Sequence, residues 1–163
     1  MTPDLDRVDP VHAPDLRRHQ RLAAYAVLRR EPDEILLTRI SPRGHHPGAW
    51  TLPGGGVAHG EDPRAALVRE VCEETGLVVR AGVLLDVHSS HFVGRAPDGV
   101  VEDYHGVHLI LSAELGDPSV QPGVVEVGGT TDAVAWVPVQ RVDAGEVEVL
   151  DVVRAALAGW ARP

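Results

Sequence analysis

The apolar positions of this chain fall into two kinds of pattern, and each predicts a different element. "RLAAYAVLRR" (21–30) and "EILLTRI" (34–40) are compact apolar runs joined by a short polar link, which predicts two strands paired as a hairpin. "LVVRAGVLLDVHSSHFV" (77–93), "HGVHLILSAEL" (105–115) and "AVAWVPV" (133–139) predict three more strands. From Pro63 to about Thr75 the apolar residues return every three or four positions, which predicts a helix. Asp62 suits its N-cap, Pro63 its first turn, and Gly76 the residue just past its end. Leu150, Val153, Leu157 and Trp160 recur at the same spacing and predict a C-terminal helix over about 146–160. Segments 41–56 and 116–132 are dense in Gly and Pro and predict loops, the first with a short extended piece around Trp50–Leu52.

Residues 1–19, with three prolines and no periodicity, predict a flexible arm, which leaves 20–163 as one domain of mixed α/β class. Composition adds that aromatics make up only 4% of the chain, so Val, Leu and Ala must build most of the interior. The formal charge of −9 disfavours adhesion to nucleic-acid polymers and to anionic membranes. A small anionic substrate remains compatible, provided something cationic bridges it to the protein. The single cysteine, Cys72, excludes an intramolecular disulfide, and the polar N-terminal stretch has no signal-like apolar run; a cytoplasmic location is the expectation. Nothing in the pattern decides an oligomeric state, and a homodimer is compatible with it.

The charge concentrates in "REVCEETGL" (69–77). On a wheel of about 100° per residue, Leu67, Val71, Thr75, Val68, Cys72 and Ala65 share one broad arc. Glu70, Glu73 and Glu74 fall together on the opposite side, so their carboxylates can converge on one point beside the helix. Three hard anionic oxygens suit Mg²⁺, with Mn²⁺ as substitute, better than zinc. Such an ion reverses the local charge and lets a polyphosphate approach. The plainer alternative is a solvated acidic face. Against it stand "LPGGG" (52–56), whose glycines allow close backbone approach to a ligand, and Glu61 at the helix entrance.

Gly55, Glu61 and Arg69-Glu70-Val71-Cys72-Glu73-Glu74-Thr75-Gly76-Leu77 fill every specified position of Gly-x5-Glu-x7-Arg-Glu-U-x-Glu-Glu-x-Gly-U, where U is aliphatic. This resembles a complete Nudix box over residues 55–77, and "GAWTLPGG" (48–55) extends the similarity upstream. The resemblance implies a Nudix-type α/β/α sandwich with a mixed central sheet. It implies Mg²⁺-dependent hydrolysis of a diphosphate linkage in a nucleoside diphosphate derivative or (d)NTP. Carried onto these positions, it makes Glu70 and Glu74 metal ligands, Glu73 a third, and the Gly54 carbonyl a further one. Arg69 then orients the acids, Glu61 acts from behind the ligands, and the general base is Glu70 or an acid outside the box. One departure stands out: where many members have a glutamate three residues after the second glycine, this chain has Ala58, which bears on the number of metal ions. The rival readings are a non-catalytic nucleotide sensor and an isoprenoid-diphosphate isomerase on the same fold. The latter would want a pocket cysteine, whereas the wheel turns Cys72 inward.

Outside the box, Glu102, Asp103, Glu126 and Asp132 all lie in predicted loops, and Glu126 and Asp132 have the better claim as an extra base or ligand. Trp50 and Arg43 are candidates for stacking on a base and clamping a phosphate. The histidines lack zinc-site spacing; His105 and His108, an odd number apart, face opposite sides of any strand.

Overall fold

The computed structural model describes residues 16–96 and 98–160, with the backbone alone at Trp160. Its elements run β1 (Arg17–Val27), β2 (Arg29–Arg30), β3 (Glu34–Ile40), β4 (Trp50–Thr51), β5 (Gly54–Gly56), α1 (Pro63–Thr75), β6 (Val79–Arg95), β7 (Val101–Leu115), β8 (Thr131–Pro138), α2 (Val139–Asp143) and α3 (Asp151–Trp160).

Two four-stranded sheets form the middle of the molecule. The mixed one has the order β5-β1-β7-β6, with β1 parallel to β7 and the other pairs antiparallel. In the other, β3 pairs with β2, β4 and β8, all antiparallel. Strand alternation divides the interior. Ala24, Ala26 and Leu28 with Leu36 and Leu111 pack against Leu67 and Val71 of α1. Val27, Ile35, Leu37 and Ile110 turn the other way, onto Val142 of α2 and Val152, Val153 and Ala156 of α3. The result is the expected layering, helix on sheet on helix.

Several boundaries differ from the expectation, each for a local reason. The strand read as the first half of a hairpin pairs with β7 instead; only β2 turns back on β3, through Arg29↔Ile35 and Arg30↔Glu34. β1 begins at Arg17, inside the stretch expected to be an arm, because residues 17–20 pair with 102–105; the rest of that arm, residues 1–15, lies outside the described residues. The C-terminal helix begins at Asp151, not near 146. Gly145 (φ 72°) follows α2, and the next residues run extended beside β4, where Trp50 N–H donates to Glu148 O and Leu150 N–H to Trp50 O. Glu102 and Asp103 lie in β7 and Asp132 in β8, so three of the four acids assigned to loops are strand residues.

Candidate functional site

The site is built around α1. Asp62 caps it, its Oδ1 accepting from Arg64 N–H at 2.8 Å and Ala65 N–H at 3.2 Å, and Pro63 takes the first turn without losing a hydrogen bond. Gly76, at φ 71°, ends it and donates its N–H to Cys72 O. The buried residues are Ala66, Leu67, Val71 and Thr75. Ala66 moves the packed face round the helix, so that Glu70 and Glu74 stand within it rather than opposite it. Cys72, expected inside, is exposed on the far side of α1 from Glu74, because the packed stripe is narrower than the apolar arc and leaves that flank to solvent.

Arg69 organises the first half of the site. Its Nε donates to Glu61 Oε1 at 2.9 Å, Nη2 to Glu61 Oε2 at 3.0 Å and to Gly56 O at 3.1 Å, and Nη1 to Glu70 Oε1 at 2.8 Å and Glu73 Oε2 at 3.3 Å. The fork geometry of a guanidinium permits this simultaneous grip. Ala58, standing where many relatives have an acid, gives its N–H to Glu61 at 2.9 Å. The Arg69 hydrogen bonds, helped by that amide, hold the Glu61 carboxyl down at about 2.

Glu74 has the contrary environment. Its Oε2 accepts from Gly54 N–H at 3.0 Å and its Oε1 from the Thr131 hydroxyl at 2.9 Å, both neutral donors. Burial pushes its carboxyl up to about 7; these two hydrogen bonds oppose the rise, and the charges of Glu70 and Glu126 add to it. Thr131 and the Gly54 N–H escaped the sequence reading. β8 alternation could have pointed to Thr131, but only once the start of that strand was known.

Glycine explains the close packing of this corner. A Cβ on Gly55 would stand 2.5 Å from Glu70 Oε2, so the carboxylate lies directly against that backbone. Gly54 sits at φ 142°, and a Cβ there would meet Ala24 O at 2.2 Å.

The remaining candidates disperse. Glu73 is 54% exposed and touches only the edge of the Arg69 cluster. Glu126 lies close enough to raise Glu74, beside Gly129. Asp132, next to Thr131 on β8, points to the other face and pairs with Arg39 Nε at 2.7 Å. Trp50 is half-buried against the α3-side core, with the Arg39 guanidinium 5.9 Å from its ring centroid. Arg43 Nη1 grips Gly128 O at 2.5 Å and so ties down the loop before β8. Among the described residues no three His, Cys, Asp or Glu side chains form a ready-made metal cage: Glu73 is drawn towards Arg69 and solvent, and Glu74 towards Gly54. The donor chemistry nevertheless fits a hard divalent cation. Glu70 and Glu74 offer carboxylate oxygens, and the half-buried Glu74 carboxyl has only neutral hydrogen-bond partners.

A family model described as NUDIX domain matches residues 19–156. The chain belongs to the Nudix family. Two curated proteins match part of this chain. "Nudix hydrolase 26, chloroplastic" of Arabidopsis thaliana is 41% identical over 58 residues, 36% of this chain and 22% of that protein. "Diphosphoinositol polyphosphate phosphohydrolase 2" of Mus musculus is 38% identical over 68 residues, 42% of this chain and 36% of that protein. The matched stretches thus span well under half the length of these curated relatives. Among solved structures, a MutT NUDIX hydrolase from Burkholderia pseudomallei is 27% identical, with a TM-score of 0.63 over 87% of this chain and 98% of that one. The Nudix fold, an α/β architecture around a mixed sheet, therefore extends over most of this chain.

Proposed function

We propose that this Nudix protein hydrolyses a diphosphate linkage in a nucleoside diphosphate derivative or (d)NTP, dependent on Mg²⁺. The observation that carries the reading is the Glu70–Glu74 corner, where two carboxylates sit in the packed face of α1, against Gly55 and Gly54, with no charged partner for Glu74. A fold gains nothing from burying such a group; a site for a cation and its phosphate does. Glu70 and Glu74 would hold the ion, with Glu73 able to swing in from solvent, and Gly54 would set the position of Glu74. The ion, when bound, polarises the phosphate oxygens and acidifies a water for in-line attack on phosphorus. The chain's own part is positional. Arg69 keeps Glu70 in place, Glu61 and Ala58 keep Arg69 in place, and Thr131 aims Glu74. Glu70, hydrogen-bonded to Arg69 on one oxygen with the other against Gly55, is the acid placed to receive the proton of the attacking water; Glu126 is the alternative base from outside the helix.

The isomerase reading finds no support in the position of Cys72, on the opposite flank of α1. The sensor reading has no broken box to rest on. Incubation with a panel of nucleoside triphosphates and nucleoside-diphosphate conjugates with Mg²⁺, reading orthophosphate and pyrophosphate release, tests the proposal. Turnover of at least one substrate that Glu74→Gln abolishes is expected; equal release from Glu74→Gln and the parent protein contradicts it.

A further inference from the structure

β6 is the outer strand of the mixed sheet, at the opposite edge from β5 and the acidic corner. Its first half is irregular: the register against β7 slips between Ala81 and Leu84 and again between Leu84 and Asp86. Along this stretch the apolar residues stay outside. Val83, Leu84 and Leu85 are 65%, 50% and 38% exposed, and Val87 follows at 50%. None of the four belongs to either apolar core.

The edge is closed to strand addition and open to side-chain contact. Bulged residues break the even row of outward N–H and C=O groups that an added strand needs. The Val83 N–H donates to Ser112 Oγ at 3.0 Å, and the Val87 N–H to Asp86 Oδ1 at 2.8 Å. What remains on offer is apolar side chain. These four residues leave roughly 300–400 Å² uncovered, the scale at which an apolar patch marks an interface. Arg80, Ser89 and Glu114, all exposed, border the run and widen it towards the ~800 Å² per partner of a standard interface.

The charges beside the patch select its partner. Arg80 and Asp86 stand at equal distances along the strand on either side of Val83. Arg80 meets only Glu114, in an exposed ion pair that contributes little within one copy. Among the described residues Asp86 bonds no cation, only the neighbouring Val87 N–H. It also lies against the last turn of α3, where a Cβ on Gly159 would stand 3.7 Å from Asp86 Oδ2, and that turn has no basic residue. A helix C-terminus carries negative partial charge, so this carboxylate is left short of positive charge by its own chain. A two-fold interface must be complementary to itself, and a patch with opposite charges at its two ends meets that condition.

We propose that the Val83–Val87 edge of β6 is the interface of a two-fold homodimer, closed by its apolar side chains and by Arg80 of each copy against Asp86 of the other. The two strands run antiparallel across an axis beside Val83. Because β5 and β6 are opposite edges of the sheet, the acidic corner stays open in both copies.

Sedimentation velocity and light scattering on the full chain, over a series of micromolar concentrations, test this. The parent protein is expected to be a dimer. Leu84→Glu, at an exposed position, should weaken dimerisation at least a hundredfold while leaving the far-UV circular dichroism spectrum unchanged. Arg80→Asp and Asp86→Arg should each weaken it at least tenfold, and the two together should return it to within threefold of the parent. A monomeric parent hands the patch to a different protein and overturns the proposal. So does an undiminished dimer in Leu84→Glu, or a double variant no tighter than its single variants.

Discussion

The two ends of α1 present the same functional group in opposite circumstances. At its entrance Glu61 meets a bidentate guanidinium and a backbone amide, and its carboxyl lies at about 2. At its exit Glu74 meets one amide and one hydroxyl in a buried corner near Glu70 and Glu126, and its carboxyl lies at about 7. The difference teaches how a single helix divides labour. The entrance is electrically complete and acts as a clamp, whereas the exit is left short of positive charge and is where a cation has most to offer.

The largest way to break this comparison is to remove the uncompensated acid. Glu74→Gln should cut turnover by at least about a hundredfold. The fold should survive, since the new amide can accept from Gly54 N–H and donate to Thr131 Oγ; phosphate release and far-UV circular dichroism check the two halves. Removing the clamp comes next. Arg69→Ala deprives Glu61, Glu70 and Glu73 of their shared partner, and about ten- to a hundredfold in activity should go, with about 1–2 kcal/mol of stability. Thermal unfolding together with steady-state kinetics reads both losses.

A smaller and more local change comes from Gly55→Ala. The added methyl meets the movable end of Glu70, so the fold should hold while the carboxylate shifts, costing about tenfold in kcat. Unchanged kcat in a folded variant would show that the position of Glu70 is immaterial.

The smallest effect sharpens the contrast through pH. Glu74 binds its proton more tightly in the fold, at about 7, than at the ordinary 4.5, so its contribution to metal-free stability is full below 4.5 and is lost as pH rises through 7. Metal-free Glu74→Gln should therefore melt above the parent at pH 8, with the gap closing towards pH 5. A gap that stays constant over that range would contradict the assignment.

How much of this was legible in the sequence follows from the range of the interactions. The α1 boundaries are local matters, written in Asp62, Pro63 and Gly76, and the structure keeps all three roles. Which face α1 buries is not local: it is set by the strands β1, β5 and β6 that α1 packs against, and a wheel cannot see them. Leu150 continued the helical spacing of 153 and 157, yet its N–H serves the stretch beside Trp50. The ring contacts across the mixed sheet were the least visible. His19 meets Tyr104, and His88 meets His108, only through strand registers spanning 20 to 85 residues, and no periodicity encodes those offsets. The odd spacing of His105 and His108 did put them on opposite faces, and the structure shows why that matters: His105 bonds Gln20 and Ser89, while His108 belongs to the other side with Tyr25.

The central claim is that the half-buried Glu74 carboxylate, with no cationic side chain bonded to it, is there for a cation. Melting temperatures of the parent protein and Glu74→Gln, followed at pH 8 as Mg²⁺ is titrated from zero, test it most directly. A rise of several degrees in the parent and none in Glu74→Gln is the predicted result. Equal shifts in both proteins, or no shift in the parent, would contradict it.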